Sequence, residues 1–171
     1  MTSRDQLNGA PSAPEVPFVR DGAFRLLLRV RYGECDMQKV VFNARYLDYV
    51  DIAITEYIRR LWGSPDELLA RGMDYQAVHQ SIDWKTSARA DDILAVVMDT
   101  AALGRTSFTI HSEFRQVASD ALIARAQSVY VLIDPASGLK AEIPGAQKSA
   151  LERGAPGAVV DFAGLGLGTP A

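Results

Sequence analysis

One stretch of helical periodicity followed by a run of strand-like stretches constrains this chain more than any other feature. Between residues 43 and 62, Leu47, Val50, Ile54, Ile58 and Leu61 recur at a spacing that gathers them on one side of a helix. Asp48, Asp51, Thr55 and Arg59 fall mostly off that stripe. Gly63 stops the pattern. Ser64-Pro65-Asp66-Glu67 then opens a short second helix, with serine as cap and proline at the first helical position. Strand patterns cover residues 24–32 before the helix and 73–85, 93–103, 106–116 and 121–134 after it. The stretch 106–116 is the clearest: Phe108, Ile110, Ser112 and Phe114 share one face, and Ser107, Thr109, His111 and Glu113 the other. The order predicts an α+β fold, with one long helix packed on one face of a mainly antiparallel sheet. Such a sheet leaves edges and surface to cover, which predicts self-association.

The length of 171 residues implies one domain, and 48% hydrophobic residues supply a sizeable core. Residues 1–18 are polar and rich in Pro, Ser and Gly and read as a disordered arm; 19–150 read as the folded domain; 151–171 read as a flexible Gly/Ala-rich tail. Gly164-x-Gly166-x-Gly168 in that tail is no nucleotide loop, because no strand precedes it and no helix follows. A formal net charge of -3 gives no sign of nucleic-acid binding. No apolar run reaches the length of a membrane span, and the first residues lack the apolar centre of a signal peptide. A single cysteine permits no internal disulfide. Together these features predict a soluble, cytoplasmic protein.

The chemistry concentrates in Arg31–Arg59, RYGECDMQKVVFNARYLDYVDIAITEYIR. Here a carboxylate, Asp36, ends an apolar strand ahead of a turn and the long helix. Helix N-termini present unpaired N–H groups that favour negative charge. A carboxylate beside oriented amides is a minimal kit for acyl transfer. The bland alternative is an ordinary turn or capping aspartate. Asn43 sits where the helix should begin and suits an N-cap.

The same stretch resembles the hotdog-fold thioesterases, specifically the 4-hydroxybenzoyl-CoA thioesterase family and its acyl-CoA relatives. The matching residues are Tyr32-Gly33-Glu34-Cys35-Asp36, Val40-Val41-Phe42-Asn43-Ala44, Tyr46-Leu47 and Thr55-Glu56-Tyr57. The family typically reads aromatic-Gly-Asp-x-Asp, a Gly-rich turn, an apolar trio and a helix with a Thr-Glu pair. The likeness extends through IDWKTSARADDIL, LGRTSFTI and LIARAQSVYVLID, covering residues 24–144. Two departures stand out: Gln38 and Lys39 replace glycines of the turn, and Asn43 replaces a histidine common among relatives.

The resemblance implies a hotdog fold and hydrolysis of an acyl-CoA to a free acid and coenzyme A. Asp36 would act as nucleophile or as general base for water, two mechanisms that the sequence leaves open. It implies a contribution from Asn43 at the helix start, with Val41 and Phe42 near the thioester. Arg89, Arg105 and Thr106 are candidates for the phosphate-bearing end of coenzyme A. No metal or organic cofactor is implied. Relatives pair their sheets edge to edge, so a homodimer or homotetramer with sites between subunits is expected. An acyl-carrier-protein thioester is an alternative substrate.

Other candidates weigh less. In another hotdog branch the catalytic acid comes from the helix, which makes Asp51 and Glu56 runners-up; beside Arg59 and Arg60 they read as solvated or locally paired acids. Cys35 reads as a small buried hydrophobe, His111 as a surface residue, and His79 as a structural histidine. Two distant histidines make no metal cluster, and no Gly-x-Ser-x-Gly elbow is present. The rival readings are a hotdog binding or scaffold protein without turnover, motivated by Gln38-Lys39, and a hotdog hydratase, disfavoured because no histidine lies near Asp36 in sequence.

Overall fold

The computed structural model of this protein describes residues 18–169; the arm expected before Phe18 lies outside the described residues. In chain order the elements are β1 (Phe24–Arg29), a 3-10 turn (Tyr32–Glu34), α1 (Arg45–Trp62), α2 (Pro65–Ala70), β2 (Asp74–Trp84), β3 (Ile93–Leu103), β4 (Ser107–Gln116), β5 (Leu122–Ile133), α3 (Gly145–Arg153) and β6 (Val159–Asp161). The sheet order is β2-β5-β4-β3-β1-β6. Every pairing is antiparallel except β1 with β6. The long helix lies on one face of this sheet, which is the hotdog arrangement that the order of elements predicted.

α1 buries Tyr46, Tyr49, Val50, Ala53, Ile54, Tyr57, Ile58 and Trp62. These residues recur every three or four positions, so they form one broad stripe. The stripe is rotated from the expected one: Leu47 is exposed and Leu61 only half-buried. Large aromatic side chains, with more apolar area to bury, take the inward positions instead. They meet Phe24, Leu26 and Leu28 of β1, Leu94, Val96 and Met98 of β3, Phe108, Ile110 and Phe114 of β4, and Ala126, Tyr130 and Leu132 of β5. Each large side chain so buried contributes about 1.5–3 kcal/mol. Gly63 ends the helix at φ 101°, and a Cβ there would lie 2.5 Å from Glu67 Oε2. That oxygen is taken by a capping box: Ser64 N–H donates to it at 2.6 Å, and Glu67 N–H donates back to Ser64 Oγ at 3.3 Å.

The opposite face of the sheet departs from the sequence reading. His111 is not an open surface residue: the Phe18 ring stacks on it with centroids 3.9 Å apart. Glu113, on the face expected to be polar and solvated, is only 3% exposed. Its carboxylate takes Arg115 at 2.7 Å and Arg125 at 2.9 Å. Arg20 closes a two-pronged pair on Asp99, with both contacts at 2.5 Å. The segment before β1 thus straps across the outer face.

The tail, read as flexible over residues 151–171, carries the last turn of α3 and then β6, which caps the β1 edge. Edge pairing supplies the reason, since an open β1 edge leaves its amides unpaired. The Gly164-x-Gly166-x-Gly168 segment curls around Asp161. N–H groups of Ala163, Gly164 and Leu167 donate to its carboxylate at 3.1, 2.9 and 3.1 Å. Partial burial pulls that carboxyl upward, but these and neighbouring amides outweigh it and hold it below its ordinary value. A strand, β6, does precede these glycines, contrary to the sequence reading, and they cradle an internal anion.

Candidate active site

The Asp36 segment folds as a small hairpin at the end of β1. Cys35 and Val41 form an isolated bridge, and Asp36 N–H donates to Val40 O at 2.9 Å. Lys39 N–H closes a turn on Asp36 O at 2.9 Å. Lys39 itself adopts φ 61°, the left-handed region that favours glycine. The position where relatives carry glycine therefore keeps the backbone of a bulged hairpin despite its side chain.

Within this hairpin Asp36 is half-buried. One carboxylate oxygen, Oδ1, accepts Gln38 N–H at 2.7 Å. That is the Asx-turn role foreseen as the bland reading. The other oxygen, Oδ2, meets no donor among the described residues and is available for chemistry. An open cleft of about 910 Å³ adjoins the carboxylate, lined by Tyr32, Gly33, Cys35, Asp36, Met37, Lys39 and Ala90. Tyr32 and Met37 beside it are almost fully exposed, at 90% and 101%.

The helix start differs from the expectation. Ala44, not Asn43, is the N-cap residue, in helical backbone geometry (φ -66°, ψ -22°) and without a side-chain cap bond. Helical winding already begins upstream, with Arg45 N–H donating to Phe42 O at 2.9 Å. A side-chain cap requires extended geometry at the cap residue, which this tight entry denies. Asn43 is exposed, and its side chain forms no cap. The N–H groups of Asn43 and Ala44 meet no acceptor among the described residues. They are oriented donors at the positive end of an 18-residue helix.

The remaining sequence candidates divide. Phe42 is exposed beside the hairpin, but its N–H is consumed by Glu34 O at 2.9 Å. Val41 is packed into the core and its N–H donates to Ala88 O at 2.8 Å, so it does not line the cleft. Arg89 is exposed on the loop whose next residue, Ala90, lines it. Arg105 and Thr106 lie beyond the far end of β3, whose 11 residues span about 33 Å. Within one chain the fold does not bring them to Asp36. Arg105 pairs there with Glu142 at 3.5 Å.

Glu56 is locally paired, with Arg59 at 3.3 Å. Asp51 lines a cavity of about 280 Å³ with Thr55, Asp74 and Tyr75, away from the hairpin. His79 is exposed on the edge strand β2. Cys35 is half-buried against the core, as a small hydrophobe would be. Among the described residues no group of three or more His, Cys, Asp and Glu side chains is placed to hold a metal ion, and no helix is long and apolar enough to cross a membrane.

Sequence reasoning missed Glu34. Its Oε2 accepts Arg31 N–H at 2.7 Å and the Tyr49 hydroxyl at 2.8 Å. The available signal was its register: it occupies the first acidic position of the aromatic-Gly-Asp-x-Asp pattern.

The family model described as the thioesterase-like superfamily matches residues 30–151. An acyl-CoA thioester hydrolase YbgC of Escherichia coli is 27% identical over 112 residues, covering 66% of this chain and 83% of that protein. An acyl-CoA thioesterase YbgC of Haemophilus influenzae is 29% identical over 115 residues, covering 67% and 83%. Among solved structures, a 1,4-dihydroxy-2-naphthoyl-CoA thioesterase from Synechocystis superposes with a TM-score of 0.68 at 26% identity, covering 75% of this chain and 94% of its own.

Proposed function

The chain belongs to the thioesterase-like superfamily, and from that premise we propose that it hydrolyses an acyl-CoA thioester to a free acid and coenzyme A. The observation that carries this reading is the Asp36 carboxylate, which lines a cleft with one oxygen fixed in the hairpin and the other without a donor among the described residues, while the Asn43 and Ala44 amides, also without acceptors, follow where the hairpin's return limb enters α1. Asp36 attacks the thioester carbonyl or takes a proton from the attacking water. The two amides, and the helix dipole behind them, hold the oxyanion as it forms. Asn43 contributes through its backbone N–H, its side chain being exposed and outside the cleft lining. Arg89, adjacent in sequence to the cleft-lining Ala90, suits a phosphate of coenzyme A, and Lys39 lines the cleft itself.

The working unit is proposed to be a homodimer. β2 is an open edge of 11 residues, with Val78 exposed on it. So long an edge is a ready template for another strand. Two-fold pairing along β2 runs the two strands antiparallel, so the start of one lies beside the end of the other. The Trp84 end carries the Asp36 hairpin, since Trp84 packs edge-on against Tyr46 of α1 at 6.4 Å. The Asp74 end carries Arg105 and Thr106, because Asp74 pairs with Ile133 next to the β3–β4 turn. Dimerisation therefore brings these residues of one copy toward the hairpin of the other, where the sequence reading wanted them. With one cysteine and no internal disulfide, the chain suits the reducing cytoplasm.

The test is thiol release from a panel of short, long and aryl acyl-CoAs, with an acyl-carrier-protein thioester alongside. Turnover of at least one acyl-CoA that collapses in Asp36→Asn supports the proposal. Binding without turnover across the panel refutes it in favour of a scaffold protein.

A further inference from the structure

We infer that Glu34 and Tyr49 are positioning residues, a carboxylate–phenol latch that fixes the Asp36 hairpin against α1 and sets turnover without touching substrate. The inference rests on the thioesterase reading of Asp36.

Glu34 gathers three separate parts of the chain. Its side-chain Oε2 accepts Arg31 N–H at 2.7 Å, at the exit from β1. The same oxygen accepts the Tyr49 hydroxyl at 2.8 Å, from the second turn of α1. Its backbone oxygen accepts Phe42 N–H at 2.9 Å, on the return limb of the hairpin. Asp36 follows two residues later. Tyr49 is itself immobile: it is 2% exposed and packs edge-on to Tyr46 with centroids 6.0 Å apart. Burial first, and then the Glu34 carboxylate, hold its hydroxyl far above the usual titration range, so it remains a donor.

The hairpin has its own internal bonds, from Cys35–Val41 and Asp36–Val40. Those bonds preserve its shape but say nothing about its angle to the helix. The Tyr49–Glu34 bond joins the hairpin to α1 by a side chain rooted in the core. Catalysis needs Oδ2 of Asp36 and the Asn43 and Ala44 amides to address one carbonyl together. A misplacement of about 1 Å between such groups costs on the order of 100-fold in rate.

Tyr49→Phe removes the phenol and keeps the ring. It should lower kcat about tenfold, the scale of a lost hydrogen bond to a charged group, with KM within about twofold. Glu34→Ala should lower kcat further, to about 100-fold, and Glu34→Gln, which keeps an acceptor, should recover most of that loss. Tyr49→Phe added to Glu34→Ala should cost no more than about twofold, since the phenol then has nothing to hold. Losses that multiply in the double variant, or a rise in KM alone, overturn the latch.

A second readout needs no substrate. Cys35, the only cysteine of the chain, lies between Glu34 and Asp36 and is half-buried. Its alkylation rate should rise about fivefold or more in Tyr49→Phe at temperatures where melting shows the variant folded, by the opening of a locally held loop. Unchanged alkylation overturns the latch. If the parent protein hydrolyses no thioester, the thioesterase reading falls, and alkylation still decides the latch by itself.

Discussion

Replacing Asp36 with asparagine and with alanine separates its two roles in the hairpin. Oδ1 holds Gln38 N–H at 2.7 Å, and Oδ2 meets no donor among the described residues in a side chain that lines the cleft. Asparagine keeps an acceptor at Oδ1, so the turn survives and stability should stay within about 0.5 kcal/mol of the parent. Alanine deletes the acceptor and leaves Gln38 N–H to water, which should cost about 1 kcal/mol. Both variants lose the anionic oxygen. Turnover should fall about 100-fold or more in each, equivalent to about 2.7 kcal/mol at the barrier. The assay is coloured-disulfide detection of free thiol at saturating acyl-CoA, with thermal melts on the same samples. Two variants that differ in stability and agree in lost activity fit the reasoning. An Asp36→Asn protein that melts like the parent and hydrolyses thioesters at a comparable rate refutes it.

Asn43→Ala should cost less than about 0.5 kcal/mol in chemical denaturation, because Ala44 and not Asn43 occupies the cap; a loss of about 1 kcal/mol would restore the side-chain cap. Glu113→Gln should destabilise by about 1–3 kcal/mol, below the figure for a wholly buried pair because Arg115 and Arg125 are 28% and 32% exposed. An unchanged denaturation midpoint would show that the two arginines find water instead. Burial pushes the Tyr130 hydroxyl from 10.0 up to about 12, partly offset by Ser128. Its folded value thus exceeds its unfolded one, so the stability it contributes is intact below pH 10 and is lost as pH rises toward 12. Alkaline titration followed by tyrosinate absorbance and circular dichroism should show ionisation and unfolding together; reversible ionisation of all tyrosines in a folded protein would contradict this.

The order of elements was legible because helix and strand periodicity are local. α1, α2 and β2 to β5 fall within two residues of the stretches read from apolar spacing and turn residues, and Ser64 caps α2 as its neighbours foretold. β1 was read too long: Val30 to Tyr32 continue its apolar pattern but leave the sheet for a 3-10 turn. Asp36 stood out for the same local reason, as an acid between a strand and a helix.

Other features depended on partners distant in the chain. Val41 turns into the core because Ala88 and Cys35 fix its backbone. Glu113 is buried because Arg115 and Arg125 neutralise it from the same and the next strand, so an alternating pattern alone read it as solvated. The tail became a strand because β1 offered it an edge, and its glycines became a cradle because Asp161 lies within their reach. Arg105 and Thr106 fall at the wrong end of β3 within one chain. Glu34 gains its meaning only from Tyr49, fifteen positions further on. Spacing along a chain determines which elements form and which faces they bury; which charges meet, and which loop is pinned to which helix, is decided when the elements pack.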